Sequence, residues 1–378
     1  MRRERSRARD GWESKIESQG LAYHRTAHPE NLTRPYWDES VHYVLEMDEV
    51  LRLEEQVEEL HRMCLEAAEH VVKTGRYEVL GIDERLVPAI EESWRRRDPH
   101  LYGRFDLRYD GTGPAKLLEY NADTPTSLVE SAIIQWYWKE DVFPADDQWN
   151  SLHERLVDRW KEMRLREGPV HFTWTDADES GEEIMTISYL QETAEQAGRS
   201  CVPLPMEAVG WDGEDYCDLE GEQIKTFCKL YPWEWIVAEP FGAFVDEADW
   251  IEPMWKMLLS NKGLLVLLWE MFPGHPNLLP AYLGAPGDLT SYIKKPLLGR
   301  EGASMSITTP SFSQSTEGRY GAEGFVFQEF QALPEFDGQH PVLGAWMVAD
   351  ESAGLGIRET SGFITDDTSS FVPHRIPL

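Results

Sequence analysis

Apolar residues recur at spacings of three and four from Val50 through Leu53, Val57, Leu60, Cys64 and Ala67 to Val71, with Glu and Arg between them. That period predicts an amphipathic helix over 47–73 with one face in a core. Further along, the period falls to two. Arg104-Phe105-Asp106 and the run Leu117-Leu118-Glu119-Tyr120-Asn121-Ala122-Asp123 place polar groups on alternate residues, as strands do. The turn formers Tyr109 to Pro114 lie between them, and Asp110-Gly111 is a strong hairpin signal. Pairing the two strands puts Arg104, Asp106, Glu119 and Asn121 on one sheet face. That face is either a solvated side of a hairpin or a set of hard oxygen donors suited to Mg²⁺ and substrate phosphates.

Thr126 to Trp136 reads as a helix with a hydroxyl cap, and 150–166 as a second amphipathic helix. A βα unit follows, with a strand over Val170–Thr175 and a helix from Glu182 to Ala197 that stops at Gly198. Trp211 to Gly221 carries the Gly and Asp of a further hairpin. The mixture predicts α+β or α/β lobes rather than a bundle or a sandwich. Residues 1–18, rich in arginine, are expected to form a mobile basic arm. In the 47–73 helix, His61 and Cys64 are a surface histidine beside a core cysteine, or half of a metal site lacking partners.

Composition narrows the class. With 41% hydrophobic residues, 15 Trp, 14 Tyr and 14 Phe in 378 residues, the chain is globular. Its net charge of −32 argues against a nucleic-acid backbone or an anionic membrane as partner. The four cysteines form no CxxC, so neither a zinc knuckle nor a disulfide framework is indicated. No apolar run follows the basic start, and Gly263–Trp269 is too short to cross a bilayer. A soluble, cytoplasmic protein is the expectation.

Four further constellations carry possible chemistry. Tyr292 to Lys295 reads as a strand ending in lysine, followed by Gly299-Arg300-Glu301-Gly302, a loop able to lay backbone N–H groups against phosphate. Lys262 stands just before the apolar Leu264–Trp269 segment. Gly324 to Phe330 alternates apolar residues and carries Gln328 and Glu329 near its end. Gly354 to Thr360 combines glycines with Arg358, which can meet charge on a transferring phosphoryl group. No GxxxxGK[ST], GxGxxG or GxSxG is present.

Taken in order, these strings resemble the ATP-dependent synthetase domain of the glutathionylspermidine synthase family, of the ATP-grasp type. The resemblance runs from about Gly20 to Pro377. It includes Tyr36-Trp37-Asp38-Glu39, Leu118 to Thr126, Leu230-Tyr231-Pro232-Trp233-Glu234-Trp235, Asn261-Lys262, Lys295 to Gly302, Gln328-Glu329 and Gly356-Ile357-Arg358-Glu359. It implies an α+β chain with a permuted, glutathione-synthetase-like ATP-grasp fold and a small α/β substrate lobe. It also implies ATP and Mg²⁺ as cofactors. Asp106, Glu119 and Asn121 match the family's metal ligands, and Arg104 and Arg358 its phosphate-facing arginines. Lys262 and Lys295 match the nucleotide-phosphate lysines, Gly299, Arg300 and Gly302 the mobile loop, and Gln328 and Glu329 the adenine end. Family members make an acyl phosphate from an acid and ATP, which an amine then attacks.

On this basis residues 19–165 hold a helical region and the metal strands, 166–245 a substrate lobe, and 246–378 the nucleotide-binding part. The amidase domain of bifunctional members is not expected. Thr124 and Thr126 either contact the acid substrate or serve as turn and cap. Asp176 and Glu179, in the acidic run after the 170–175 strand, either receive a polyamine's ammonium groups or solvate a helix N-terminus. The partners expected are a peptide-like acid such as glutathione and an amine such as a polyamine. The rivals are the same ligation on another pair, or a nucleotide- or polyamine-binding relative without turnover.

Overall fold

The computed structural model describes residues 1–25, 34–366 and 369–378. Its centre is a five-stranded antiparallel sheet in the order Ser370–Val372, Glu351–Thr360, His340–Val348, Tyr102–Arg108, Lys116–Asn121. The two strands read from the sequence are adjacent there, with Arg104 opposite Asn121 and Asp106 opposite Glu119. Alternation decides what each face does. Phe105, Leu107, Leu343, Ala345, Leu355 and Ile357 point to one side, into a core with Val50, Leu53, Val57 and Leu60 of the long helix Met47–Thr74. Burying each of the larger of these side chains contributes about 1.5–3 kcal/mol. Arg104, Asp106 and Arg358 point to the other side, together with Trp346.

That second face is partly covered by helical residues 128–142 and by Leu152–Glu162. Glycines make room on this face, Gly356 for the covering helical residues and Gly344 for Arg104. A Cβ on Gly356 would lie 2.4 Å from Ser131 Oγ, and one on Gly344 would lie 3.0 Å from Arg104 Cδ. A four-stranded parallel sheet, in the order Asp249–Ile251, Thr226–Lys229, Val170–Thr173, Cys201–Pro203, forms a second unit. A third sheet is antiparallel and carries Tyr292–Pro296 between Phe325–Glu329 and Ser306–Thr308. Among the described residues no helix is long and apolar enough to cross a membrane.

Three local expectations are corrected. Residues 1–18 are not a mobile arm: Arg2–Arg5 pairs with Val41–Val44, and Trp12–Ser18 is a helix. Buried carboxylates supply the reason, since Arg3 pairs with Glu359 at 2.6 Å and Arg9 with Glu39 at 2.7 Å. His61 is not on the surface but 1% exposed, bonded to Tyr120 Oη at 3.1 Å and Asp350 Oδ1 at 3.0 Å. The helix expected to start at Thr126 starts at Leu128 and passes through a π-turn over Glu130–Ile134, without a hydroxyl cap. The Thr126 carbonyl instead accepts Arg104 Nη1 at 2.6 Å.

Candidate active site

A cavity of about 380 Å³ opens where the central sheet, the third sheet and the parallel sheet meet. Arg104, Asp106, Glu119, Asn121, Thr124, Thr126, Lys295, Gly299, Arg300, Gly302, Gln328, Glu329 and Arg358 all border it. Lys262 borders the adjoining recess with Glu119, Asn121, Thr124 and Gly299. Two of the named residues lie elsewhere. Asp176 and Glu179 are exposed and do not border the cavity. The acidic run turns after the Val170–Thr173 strand, so its later member Glu183 reaches the cavity in their place.

The charged groups form one alternating array. Arg104 Nε donates to Asp106 Oδ1 at 2.8 Å, and Arg358 Nη2 to Asp106 Oδ2 at 2.5 Å. Lys262 Nζ lies 3.1 Å from Glu119 Oε2, and Asn121 Nδ2 donates to Glu119 Oε1 at 3.1 Å. Burial alone would raise the Glu119 carboxyl, but Lys262 and Lys295 outweigh it and hold that carboxyl well below its usual range. Arg104 and Arg358 reach Asp106 from adjacent parts of the sheet because its twisted antiparallel strands bring residues 104 and 358 to flank position 344.

Lys295 has a double task. Its Nζ donates to the Leu118 carbonyl and to Gln328 Oε1, each at 2.8 Å, while Gln328 Nε2 donates to the Leu117 carbonyl at 2.9 Å. Gln328, read from the sequence as an adenine contact, is thus also a clasp between the third sheet and the strand Lys116–Asn121. Burial pushes the Lys295 ammonium down to about 8, against the pull of Glu119. The family resemblance casts Lys295 as a nucleotide-phosphate lysine, a role that needs the charged form, so on that assignment kcat/KM for ATP is expected to fall as pH rises through about 8. Lys295→Arg, charged throughout, is expected to carry that limb to higher pH. A pH–rate series on both proteins checks this, and an unchanged limb in the variant excludes Lys295 as its source.

The glycine loop is docked rather than free. Arg300 Nη1 donates to Thr124 Oγ1 and Nη2 to Glu234 Oε1, each at 2.8 Å, and Lys262 Nζ donates to the Gly299 carbonyl at 2.5 Å. Gly302 has φ +67, and a Cβ there would lie 2.6 Å from the Thr365 carbonyl, so the loop passes where only glycine fits.

Further residues emerge only in three dimensions. Trp235, Arg319 and Phe363 border the cavity. Behind the wall, outside the cavity lining, Glu130 is buried, taking hydrogen bonds from Tyr23 Oη and Tyr36 Oη on one carboxylate oxygen, while the other has no hydrogen-bond partner among the described residues. Burial and the charge of Glu130 raise Glu182 to about 8, and burial raises Glu183 to about 7. Glu130 stands four residues after Thr126, a helical spacing that contained the signal without distinguishing it from an ordinary surface glutamate.

The residues present fit a Mg²⁺ ion. Asp106, Glu119 and Asn121 supply hard oxygen donors from one sheet face, beside four cations suited to phosphate. Among the described residues no three His, Cys, Asp or Glu side chains are grouped to hold a metal ion.

Sheets, helices and cavity together define a glutathione-synthetase-like fold: a glutathione synthetase-like effector from Globodera pallida in its apo form superposes with a TM-score of 0.55 over 96% of this chain and 97% of that one, at 10% identity. The chain belongs to the Glutathionylspermidine synthase preATP-grasp family, which it matches over residues 3–377. A Haemophilus influenzae protein named "Putative acid--amine ligase" is 40% identical over 356 residues, covering 90% of each chain. Trypanothione synthetase of Crithidia fasciculata is 30% identical over 85% of this chain. The bifunctional glutathionylspermidine synthetase/amidase of Escherichia coli is 26% identical over 83% of it. The chain spans 54% and 56% of the length of these last two. It is related throughout to acid–amine ligases of the glutathionylspermidine and trypanothione synthetase type.

Proposed function

We propose that this protein is an ATP-dependent carboxylate–amine ligase that works through an acyl phosphate, on a permuted ATP-grasp framework. The observation that carries the reading is the convergence of Arg104, Asp106, Glu119, Asn121, Lys295 and Arg358 on one cavity, with Lys262 at its edge. Members of this set lie far apart in sequence. A cavity of this size suits a small-molecule site. The cavity wall combines the glycine loop with the carboxyl of Glu183, which lies within electrostatic reach of Arg300.

A bound Mg²⁺, held by Asp106, Glu119 and Asn121, would neutralise phosphate charge. Lys262 and Lys295 bind and orient the nucleotide phosphates, and Arg104 and Arg358 face the γ-phosphoryl group as it moves. An oxygen of the substrate carboxylate attacks γ-phosphorus, the bond to the ADP oxygen breaks, and an acyl phosphate and ADP result. The amine nitrogen then attacks the acyl carbon, phosphate leaves with the bonding electron pair, and the nitrogen gives up a proton. Glu183, raised to about 7, is matched to take that proton at its carboxylate near neutral pH. The docked Arg300 and the loop of residues 299–302 keep water from the acyl phosphate.

The acid is peptide-like, with glutathione as the leading case, and the amine is a polyamine. Support for the amine comes from Glu183, which borders the cavity, and its chain neighbour Glu182: both are raised by burial, and an ammonium group beside them would restore their ionised forms. The test is ADP release over a panel of acids and amines, including glutathione with spermidine. Mg²⁺-dependent ADP formation that requires both an acid and an amine is expected. Tight ATP binding with no ADP from any pair excludes the ligase. Glu183→Gln is expected to raise KM for the amine about tenfold while leaving KM for ATP unchanged, as loss of one charged hydrogen bond implies.

A further inference from the structure

One buried carboxylate, which also borders the recess beside Lys262, ties the metal-binding strands to the parallel sheet. Asp123 follows Asn121 by two residues and is 2% exposed. Its Oδ1 is ion-paired with Lys229 Nζ, and its Oδ2 accepts the Trp233 backbone N–H at 3.0 Å. Lys229 is the last residue of the strand Thr226–Lys229, and its ammonium lies 4.9 Å from the centre of the Trp233 ring. Trp233 Nε1 in turn donates to the Glu252 carbonyl at 3.0 Å.

A second buried ammonium grips the same strands through their backbone. Lys256 Nζ donates to the carbonyls of Tyr102 at 3.0 Å and Ala122 at 3.2 Å. Tyr102 opens one metal-binding strand, and Ala122 follows the last residue of the other. Glu252 supplies the counter-charge at 3.2 Å, and its Oε1 accepts the N–H groups of Leu101 and Tyr102.

Placing two lysines in a core is a costly way to hold a hairpin that apolar packing would also hold, since each buried ion costs several kcal/mol before pairing offsets it. What the pair adds is direction. The Asp123 carboxylate meets the first turn of the helix Trp233–Ile236, whose Glu234 takes Arg300 of the glycine loop and whose next residue, Trp235, borders the cavity. A single side chain therefore relates Glu119 and Asn121 to the parallel sheet and to the docking point of the loop.

We propose that the Asp123–Lys229 ion pair is a positioning pair that holds Glu119 and Asn121 in the geometry needed to bind Mg·ATP. The inference rests on the ligase reading above for its metal, and it concerns affinity rather than turnover. The Asp123→Asn/Lys229→Met double variant removes both charges at nearly constant volume, a replacement that often leaves stability unchanged. Titration calorimetry is expected to show Mg·ATP affinity lowered about 10- to 100-fold, the usual effect of losing a group that orients metal ligands. Affinity for ATP without Mg²⁺ should change less than about threefold on the same grounds, and the melting temperature should stay near that of the parent. Lys229→Arg, which keeps the charge pair, is expected to bind Mg·ATP like the parent, and Lys229→Met is not. Wild-type Mg·ATP affinity in the double variant, or equal affinities for Lys229→Arg and Lys229→Met, overturns the proposal, as does an ATP affinity of the parent that ignores Mg²⁺. Binding needs no turnover, so a parent that binds Mg·ATP but makes no ADP defeats the ligase reading alone.

Discussion

Asp106→Asn is expected to abolish Mg²⁺-dependent ADP release while the protein stays folded. Asp106 is where the array is most concentrated: its two carboxylate oxygens take Arg104 and Arg358, and it faces Glu119 across the strand pair. Asparagine keeps the shape and one acceptor but removes the charge. The buried Arg104 guanidinium is then left without its anion, and breaking such a pair costs about 3–5 kcal/mol. A melting curve must therefore accompany the rate. Glu119→Gln provides the second arm, because its loss disturbs Lys262 and Asn121 rather than the arginines. Both variants are expected to fall at least about 10²–10³-fold, the effect of removing one preorganised electrostatic group. If both retain the parent rate at saturating Mg²⁺, the metal assignment is wrong.

Arg358→Ala is expected to lower ADP release by about 10³-fold or more, the range seen when an arginine that faces a transferring phosphoryl group is lost. Arg358 sits on Glu351–Thr360, opposite Val342, and is only partly buried, so its guanidinium can leave Asp106 for phosphate. Arg104 cannot substitute for it. That guanidinium is buried and also bonds the Thr126 carbonyl, which fixes it to the turn after the metal-binding strands. The decisive pattern is kinetic: kcat should collapse while the dissociation constant for Mg·ATP changes little, because the group acts on charge that develops in flight. A variant that loses only ATP affinity assigns Arg358 to ground-state binding instead.

These expectations rest on residues with very unequal visibility in the sequence. The strand pair was legible from its period of two and the turn formers between the strands, which put the four polar groups on one face; the register, Arg104 opposite Asn121 and Asp106 opposite Glu119 with a bulge after Asp106, came only with the structure. The helix Met47–Thr74 was legible from its apolar period, yet the same period placed His61 wrongly. Periodicity reports the average environment of a helix face, and His61 is held inside by Tyr120 and Asp350, distant partners the local pattern does not contain. The arm over residues 1–18 was misread for a related reason. Arginines look solvated when their own neighbours are polar, and their acidic partners Glu39 and Glu359 come from elsewhere in the chain.

By itself the sequence determined the long helix Met47–Thr74, the strand pair that presents Asp106, Glu119 and Asn121, and the family, because these depend on short-range periodicity and ordered motifs. Only the tertiary structure decided that Glu183 rather than Asp176 or Glu179 borders the cavity, that Gln328 clasps two sheets, and that Asp123 is bound to Lys229. The physical reason is the same in each case. A charged side chain's role is set by the desolvation it suffers and the partner that compensates it, and both come from segments far away in the chain.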